Sequence, residues 1–213
     1  MIRYAQAERR ALCDTLIALG PDAPTLCHPW RTRDLAAHLV LRDSRPDLAA
    51  GLVIKPLARR LDRAMAEKAK EDYPTLVDWI RYPPAVALAA RLAPVDEALN
   101  TMEFYIHHED VLRAAPDVTP RALDPDHEHA LWSALKGVAR LLYRRSPAGV
   151  VLVTPRFGRY VAKSSGEVGT AVVTGAVGDL ALYSYGRKGV ADVTITGPDE
   201  AVQALRDTRL SLP

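Results

Sequence analysis

The chain has 213 residues, of which 48% are hydrophobic and 25% are charged, and its formal net charge is +2 at pH 7. A chain of this length can bury a core without disulfides or a structural metal, so we expect any bound metal to serve function. The weak, dispersed positive charge argues against a nucleic-acid partner, and the lack of a long apolar run argues against a membrane-spanning helix. A charged N-terminus and only two cysteines, Cys13 and Cys27, predict a cytoplasmic protein.

Apolar residues recur at helical spacing through roughly the first two thirds of the chain. The pattern predicts long helices over residues 4–19, 32–45, 56–71 and 94–115, a short helix over 75–81 and a further helix over 126–145. Thr32 is the expected N-cap of the second helix, with Asp34 favourably placed in its first turn. Four long helices with modest connections predict an antiparallel four-helix bundle.

From about residue 147, short β-rich runs separated by glycines replace the helical pattern. They predict strands over 150–154, 160–163, 170–174 and 190–196, and helices over 179–185 and 198–206. This alternation is typical of a small α/β domain. We therefore divide the chain into a helical domain, residues 1–146, which includes the helix over 126–145 as a bridge, and a small α/β C-terminal domain, residues 147–213.

Three side chains suggest a metal site. Glu103 and His107 are four residues apart on a predicted helix, so they project from the same face. His38 lies in an apolar helical stretch, where a buried imidazole needs a polar partner. Together they match a His₂Glu zinc site with one open coordination position. Spacing alone leaves open a surface Glu–His pair and a hydrogen-bonded core histidine.

Other candidate residues carry weaker signals. His108 points about 100° away from His107 on the helix, which suggests a supporting or exposed position. Cys13 and Cys27 are better explained as buried or loop thiols than as ligands or nucleophiles. The sequence contains no nucleophile elbow, P-loop or dinucleotide fingerprint.

The sequence also resembles a known family in three segments. Residues 28–39, His-Pro-Trp-Arg-Thr-Arg-Asp-Leu-Ala-Ala-His-Leu, are similar to the Trp-Thr-x-x-Asp-Leu-x-x-His-Leu signature of the mycothiol-dependent maleylpyruvate isomerase family. That family belongs to the DinB-like metal-binding bundles. Glu103 to His107, followed by Asp110, resembles its Glu-x-x-x-His-x-x-Asp element. Residues 173–187 and 193–197 resemble its small C-terminal domain, in which a helix ends in Gly-Arg.

The resemblance implies a DinB-like four-helix bundle followed by a small α/β domain, with zinc held by His38, Glu103 and His107. It also implies that a low-molecular-weight thiol such as mycothiol approaches the metal and attacks a small electrophile, for isomerisation or S-transfer. Arg187, at the Gly-Arg position, is the expected catalytic and cofactor-binding cation, holding a substrate carboxylate in a bidentate pair. Its alternative role is that of a cation at a helix C-terminus. The many arginines and alanines suggest a GC-rich genome, and the resemblance implies an actinobacterial source.

Several functional alternatives remain open at this point. The same ligands could belong to a non-catalytic metal-dependent protein that binds a small ligand, or to a hydrolase in which the metal activates water. A structural bundle with a satisfied core histidine is a third alternative. Imidazole and carboxylate ligands also suit iron, nickel or manganese, so the ligand types do not fix the metal.

Overall fold

A computed structural model describes residues 4–45, 55–83, 93–115 and 118–210. The chain is rich in helices and has one small four-stranded sheet in its C-terminal part, which confirms the predicted mainly α class at this level. It forms two compact units that divide between Pro120 and Arg121. None of the helices in the described ranges combines the length and apolar character needed to cross a lipid bilayer.

The regular elements in the described part of the first unit are helices, and one isolated β-bridge joins Pro24 and Arg31 in the loop before the second helix. Its helices are α1 (Tyr4–Leu19), α2 (Thr32–Ser44), α3 (Lys55–Lys68), α4 (Tyr73–Arg81) and α5 (Ala93–Leu112). Helix α1 packs against α5 and α4, and α2 packs against α4 and α3. Their apolar faces form one buried cluster that includes Leu12, Leu16, Leu35, Leu39, Leu76, Ile80 and Phe104. The predicted helices of this region are confirmed to within a few residues at each end.

The start of α2 differs from the prediction. Arg31, not Thr32, is the N-cap residue, and Thr32 is already helical and fully buried. The Thr32 hydroxyl donates to the carbonyl of Gly20 at 2.5 Å, so the side chain anchors the preceding loop instead of capping the helix. Asp34 accepts a hydrogen bond from the Arg31 backbone N–H at 2.9 Å, which supplies the capping interaction from within the first turn.

The second unit combines helices with the sheet. Its elements are α6 (Pro125–Leu142), β1 (Gly149–Thr154), β2 (Gly158–Lys163), β3 (Thr170–Gly175), α7 (Val177–Ser184), β4 (Val193–Thr196) and α8 (Asp199–Asp207). The strand order is β2-β1-β3-β4, with β1 and β3 parallel and the outer pairs antiparallel. Strand β4 begins three residues later than predicted, because the Val190 N–H is in a turn with the Arg187 carbonyl.

Helix α6 belongs with the sheet. The sequence-based division places this helix in the first domain as a bridge, whereas the compact units divide before it. Its buried face, with Leu131, Trp132 and Leu135, packs alongside α7 and β2. The two compact units thus group α6 with the sheet, whereas the sequence pattern changes at residue 147.

The end of α7 explains the Gly-Arg element of the sequence. Gly186 has a φ of +85°, its N–H donates to the Tyr183 carbonyl, and the Arg187 N–H donates to the Leu182 carbonyl. These two bonds define a Schellman motif, which ends a helix and favours glycine at the left-handed position. A Cβ atom at residue 186 would lie 2.4 Å from the Leu210 carbonyl oxygen.

We therefore expect Gly186→Ala to lower the free energy of unfolding by about 2–4 kcal/mol, through backbone strain and the backbone clash. Urea titration followed by circular dichroism measures the change. Gly189→Ala is the matched control, because nothing lies within 4 Å of a Cβ atom there and no positive φ is involved. Equal stability of the two variants would contradict this account.

Candidate metal centre

Helices α2 and α5 bring together the three side chains that the sequence singled out. His38 lies on α2, and Glu103 and His107 lie one turn apart on α5. The Oε1 atom of Glu103 lies 3.4 Å from Nε2 of His38 and 3.3 Å from Nε2 of His107. One nitrogen or oxygen atom from each residue lies within 4.8 Å of the other two. The side chains are largely buried, with between 10% and 17% of their area exposed.

These distances match the spacing of metal ligands better than the spacing of hydrogen-bonded atoms. Two atoms that are each about 2.05 Å from a tetrahedral zinc ion lie about 3.4 Å apart, whereas N–H···O hydrogen bonds cluster near 2.9 Å. The Glu103 oxygen lies at the former distance from both imidazoles. The donor set and its spacing therefore fit a bound metal ion.

The other nitrogen of His107 is held by a carboxylate. Nδ1 of His107 lies 2.9 Å from Oδ2 of Asp110, whose side chain is fully buried. A carboxylate on the far nitrogen of an imidazole fixes the ring orientation and makes the near nitrogen a better donor to a metal. Asp110, three residues after His107, therefore supports the ligand without joining the set of three.

A second group of potential ligands overlaps the first. Cys27, His107 and Asp110 also have one donor atom each within 4.8 Å of the others. The Cys27 thiol donates to Oδ2 of Asp110 at 3.0 Å, however, and the Asp110–His107 contact is 2.9 Å. Both distances are typical of hydrogen bonds, so these residues form a network behind His107. The loop carrying Cys27 is fastened there by a backbone bond from Leu26 to the Asp110 carbonyl.

Electrostatics favour an ionised Glu103 and a neutral His38. Burial by itself raises the pKa of Glu103, but hydrogen bonds with His107 and His38 and the charges of His107 and Arg42 outweigh it and hold that pKa well below its usual range. Burial is the main cause that lowers the pKa of His38. A carboxylate and a neutral imidazole are the protonation states that bind a metal.

His107 behaves in the opposite way without a cation. Burial lowers its pKa, but hydrogen bonds with Asp110, Cys27 and Glu103 outweigh burial and raise the pKa well above its usual value. The ring is then an imidazolium between two carboxylates. A bound cation requires the neutral ring, so metal binding at neutral pH must release this proton.

This raised pKa predicts a pH dependence for the metal-free protein. A group whose pKa is higher in the folded chain adds stability below its unfolded pKa, about 6.5, and loses it as the pH rises through the folded pKa. The stability of the chelator-treated protein should therefore decrease above pH 6.5 relative to that of His107→Gln. Urea titrations between pH 6 and 9 measure the free energy of unfolding of the two proteins. A difference between them that stays constant across that range would contradict the prediction.

Arg42 is a residue of the site that the sequence reading missed. It lies one turn after His38 on α2, and its Nε atom is 3.1 Å from Oε1 of Glu103. Its Nη1 atom donates to Asn100 at 2.8 Å and to Asp43 at 3.2 Å. The sequence feature that could have revealed Arg42 is its i, i+4 spacing from His38, which places both side chains on the same face of α2.

Two further residues near the centre have clear structural roles. Trp30, in the loop before α2, packs its ring 5.1 Å from the ring of His38 and covers one side of it. His108 is buried on another face of α5, where Nδ1 contacts Glu8 at 2.7 Å and Nε2 contacts Thr15 at 2.8 Å. Both nitrogens of His108 are thus engaged by α1, which places it outside the candidate ligand set.

Comparisons with solved structures show which fold this is. A crystal structure of mycothiol-dependent maleylpyruvate isomerase superposes with a TM-score of 0.63 at 15% sequence identity, over 92% of this chain and 90% of that one. This chain shares the isomerase fold. A histidine-to-alanine variant of the mycothiol-dependent maleylpyruvate isomerase superposes equally well, with 14% identity over 92% of this chain and 91% of that one. No protein-family model and no curated protein matches the sequence.

Arg187 lies in the second unit and is the last residue of the Schellman motif that ends α7. Its Nη1 atom donates to the Tyr185 carbonyl at 2.7 Å, so the guanidinium binds the C-terminal end of that helix. This contact agrees with the alternative role of a cation near a helix C-terminus. The role of Arg187 in holding a carboxylate stays a prediction from the resemblance.

Proposed function

We propose that this chain is a metal-dependent enzyme, with zinc as the metal, that uses a low-molecular-weight thiol such as mycothiol on a small electrophile. The reaction is an isomerisation or an S-transfer. The observation that carries the proposal is the ligand-type spacing of His38, Glu103 and His107. The shared fold with mycothiol-dependent maleylpyruvate isomerase supports the choice of thiol. We further propose that the first unit is a DinB-like four-helix bundle and that the protein is cytoplasmic.

Each residue of the candidate metal centre has a separate role in this proposal. His38, Glu103 and His107 would hold the ion, and a divalent cation of this kind stabilises the thiolate form of a thiol that binds it. Asp110 keeps Nδ1 of His107 engaged, so that Nε2 faces the other two ligands. Trp30 packs against the ring of His38 and limits its movement.

The chemistry follows from the nucleophile. A thiolate that adds reversibly to an activated cis double bond leaves a single bond, about which the adduct rotates before the thiolate departs and the trans double bond forms. With an electrophile that has a leaving group, the same attack forms a new carbon–sulfur bond, and the leaving group takes the electron pair. We propose that Arg187 binds a carboxylate of the substrate in either reaction.

Metal analysis followed by turnover assays tests the proposal. The chain loaded with one equivalent of zinc should convert maleylpyruvate, or conjugate an electrophilic probe, only when mycothiol is present. Glu103→Gln, a variant of nearly equal volume, should lose both zinc and turnover. Ligand binding without turnover would favour a binding protein, and thiol-independent hydrolysis would favour a hydrolase.

A further inference from the structure

Arg42 lies at the outer edge of the metal centre. One quarter of its side chain is exposed, compared with 13% for His38, 17% for Glu103 and 10% for His107. Its Nη1 atom is fixed by Asn100 and Asp43, so the plane of the guanidinium is set by residues that do not belong to the ligand set. Arg42 is thus both oriented by the protein and accessible to a small molecule.

The positive charge of Arg42 is neutralised by nearby carboxylates only while Glu103 is free to pair with it. Asp43, its other acidic neighbour, is bound by Arg9 at 2.9 Å, and both of those side chains are almost fully buried. Glu103 is therefore the principal counter-charge of Arg42, and it offers the same Oε1 atom that faces the two imidazoles. When that oxygen binds a cation, the negative charge of Glu103 is shared with the cation. It then neutralises less of the positive charge of Arg42.

The geometry of the guanidinium supports an anionic ligand in that state. The Nε–H and Nη2–H groups form one edge of the fork and match the two oxygens of a carboxylate. Nε faces Glu103, and in the described part of the chain Nη2 makes no hydrogen bond. Nη2 therefore offers a hydrogen-bond donor beside the ligand set, next to the Nε that faces Glu103, and Nη1 anchors the other edge.

We propose that Arg42 binds a carboxylate of the electrophile beside the metal centre and so selects anionic electrophiles. The inference rests on the proposed function, because it needs Glu103 to act as a ligand. It assigns to a residue of α2 a binding role that is independent of Arg187.

Cobalt-substituted protein saturated with 2-mercaptoethanol provides the test. Succinate, an unreactive dicarboxylate, and its neutral diamide are titrated into it, with calorimetry and the cobalt absorption bands as readouts. Wild-type protein should bind succinate at least about 10-fold more tightly than the diamide. Arg42→Gln should lose most of that preference, and Arg42→Lys should keep part of it, because lysine retains the charge without the fork.

The controls separate this inference from the proposed function. Arg10→Gln removes an equal charge from an exposed position on α1 and should leave succinate binding unchanged. Circular dichroism checks that the variants fold. If Arg42→Gln does not fold, Arg42→Lys alone is used to test the role of Arg42. With cobalt retained, succinate binding within twofold of wild type in both Arg42 variants, or binding only by displacement of the thiol, would overturn the role of Arg42. A wild-type chain that holds no cobalt would refute the metal centre itself, and this role with it.

Discussion

Replacing His38 with alanine is expected to lower the affinity for zinc by roughly 10²–10³-fold and to abolish thiol-dependent turnover. His38 is the only ligand in the proposed set that comes from α2, so its loss leaves a bidentate site on α5. If a binding free energy on the order of 10 kcal/mol is shared among three ligands, one ligand accounts for about 3–4 kcal/mol. Competition with a chromophoric chelator measures the affinity directly.

His129→Ala is the matched control for this variant, because it removes an exposed histidine from the second unit. It should leave both the zinc affinity and the turnover unchanged. Near-wild-type zinc affinity in His38→Ala would show that the ligand set is wrong. Turnover in a His38→Ala sample that elemental analysis shows to be free of metal would show that the reaction does not need the ion.

Replacing Asp110 with asparagine is expected to lower the zinc affinity by about 10–100-fold while leaving all three proposed ligands in place. The carboxylate lies 2.9 Å from Nδ1 of His107, where its charge orients the ring and strengthens Nε2 as a donor. Asparagine has nearly the same volume but cannot supply that charge. The same chelator competition measures the loss, with elemental analysis confirming the metal content.

Two further variants define the origin of this effect. Cys27→Ala removes only the thiol that donates to Asp110, so its effect on zinc affinity should be smaller than that of Asp110→Asn. Asp22→Asn removes an exposed carboxylate and should have no effect. An effect of Cys27→Ala that equals or exceeds that of Asp110→Asn would indicate that the thiol itself is a ligand, as in the overlapping group with His107.

Helices α1 and α2 could be predicted from the sequence because leucines recur along them at helical spacing. Leu12 and Leu16 on α1, and Leu35 and Leu39 on α2, recur at spacings that bury one face, and all four lie in the core. The start of α2 was placed one residue late, because the Thr32 hydroxyl bonds to Gly20 across the loop. A capping rule considers only residues close in sequence, so it cannot predict a hydrogen bond to Gly20, which lies 12 residues earlier in the chain.

The division of the chain was harder to predict from local pattern. The helical period continues through α6, so the sequence suggests that this helix extends the first domain. Within the second unit, Trp132 of α6 packs edge-to-face against Tyr160 of β2, and α6 also packs alongside α7. Which sheet or bundle an amphipathic helix covers is a question of tertiary packing.

The sequence by itself determined the pairing of Glu103 with His107, because four residues on a helix fix two side chains on one face. It also supplied His38 as the candidate third member, because an imidazole in an apolar helical stretch needs a polar partner, and residues 28–39 resemble a known signature. Only the tertiary structure decided that α2 and α5 bring His38 to within 3.4 Å of Glu103, and that Arg42 comes with it. The physical reason is that helical periodicity fixes directions within one element, whereas distances between elements depend on how their apolar faces pack.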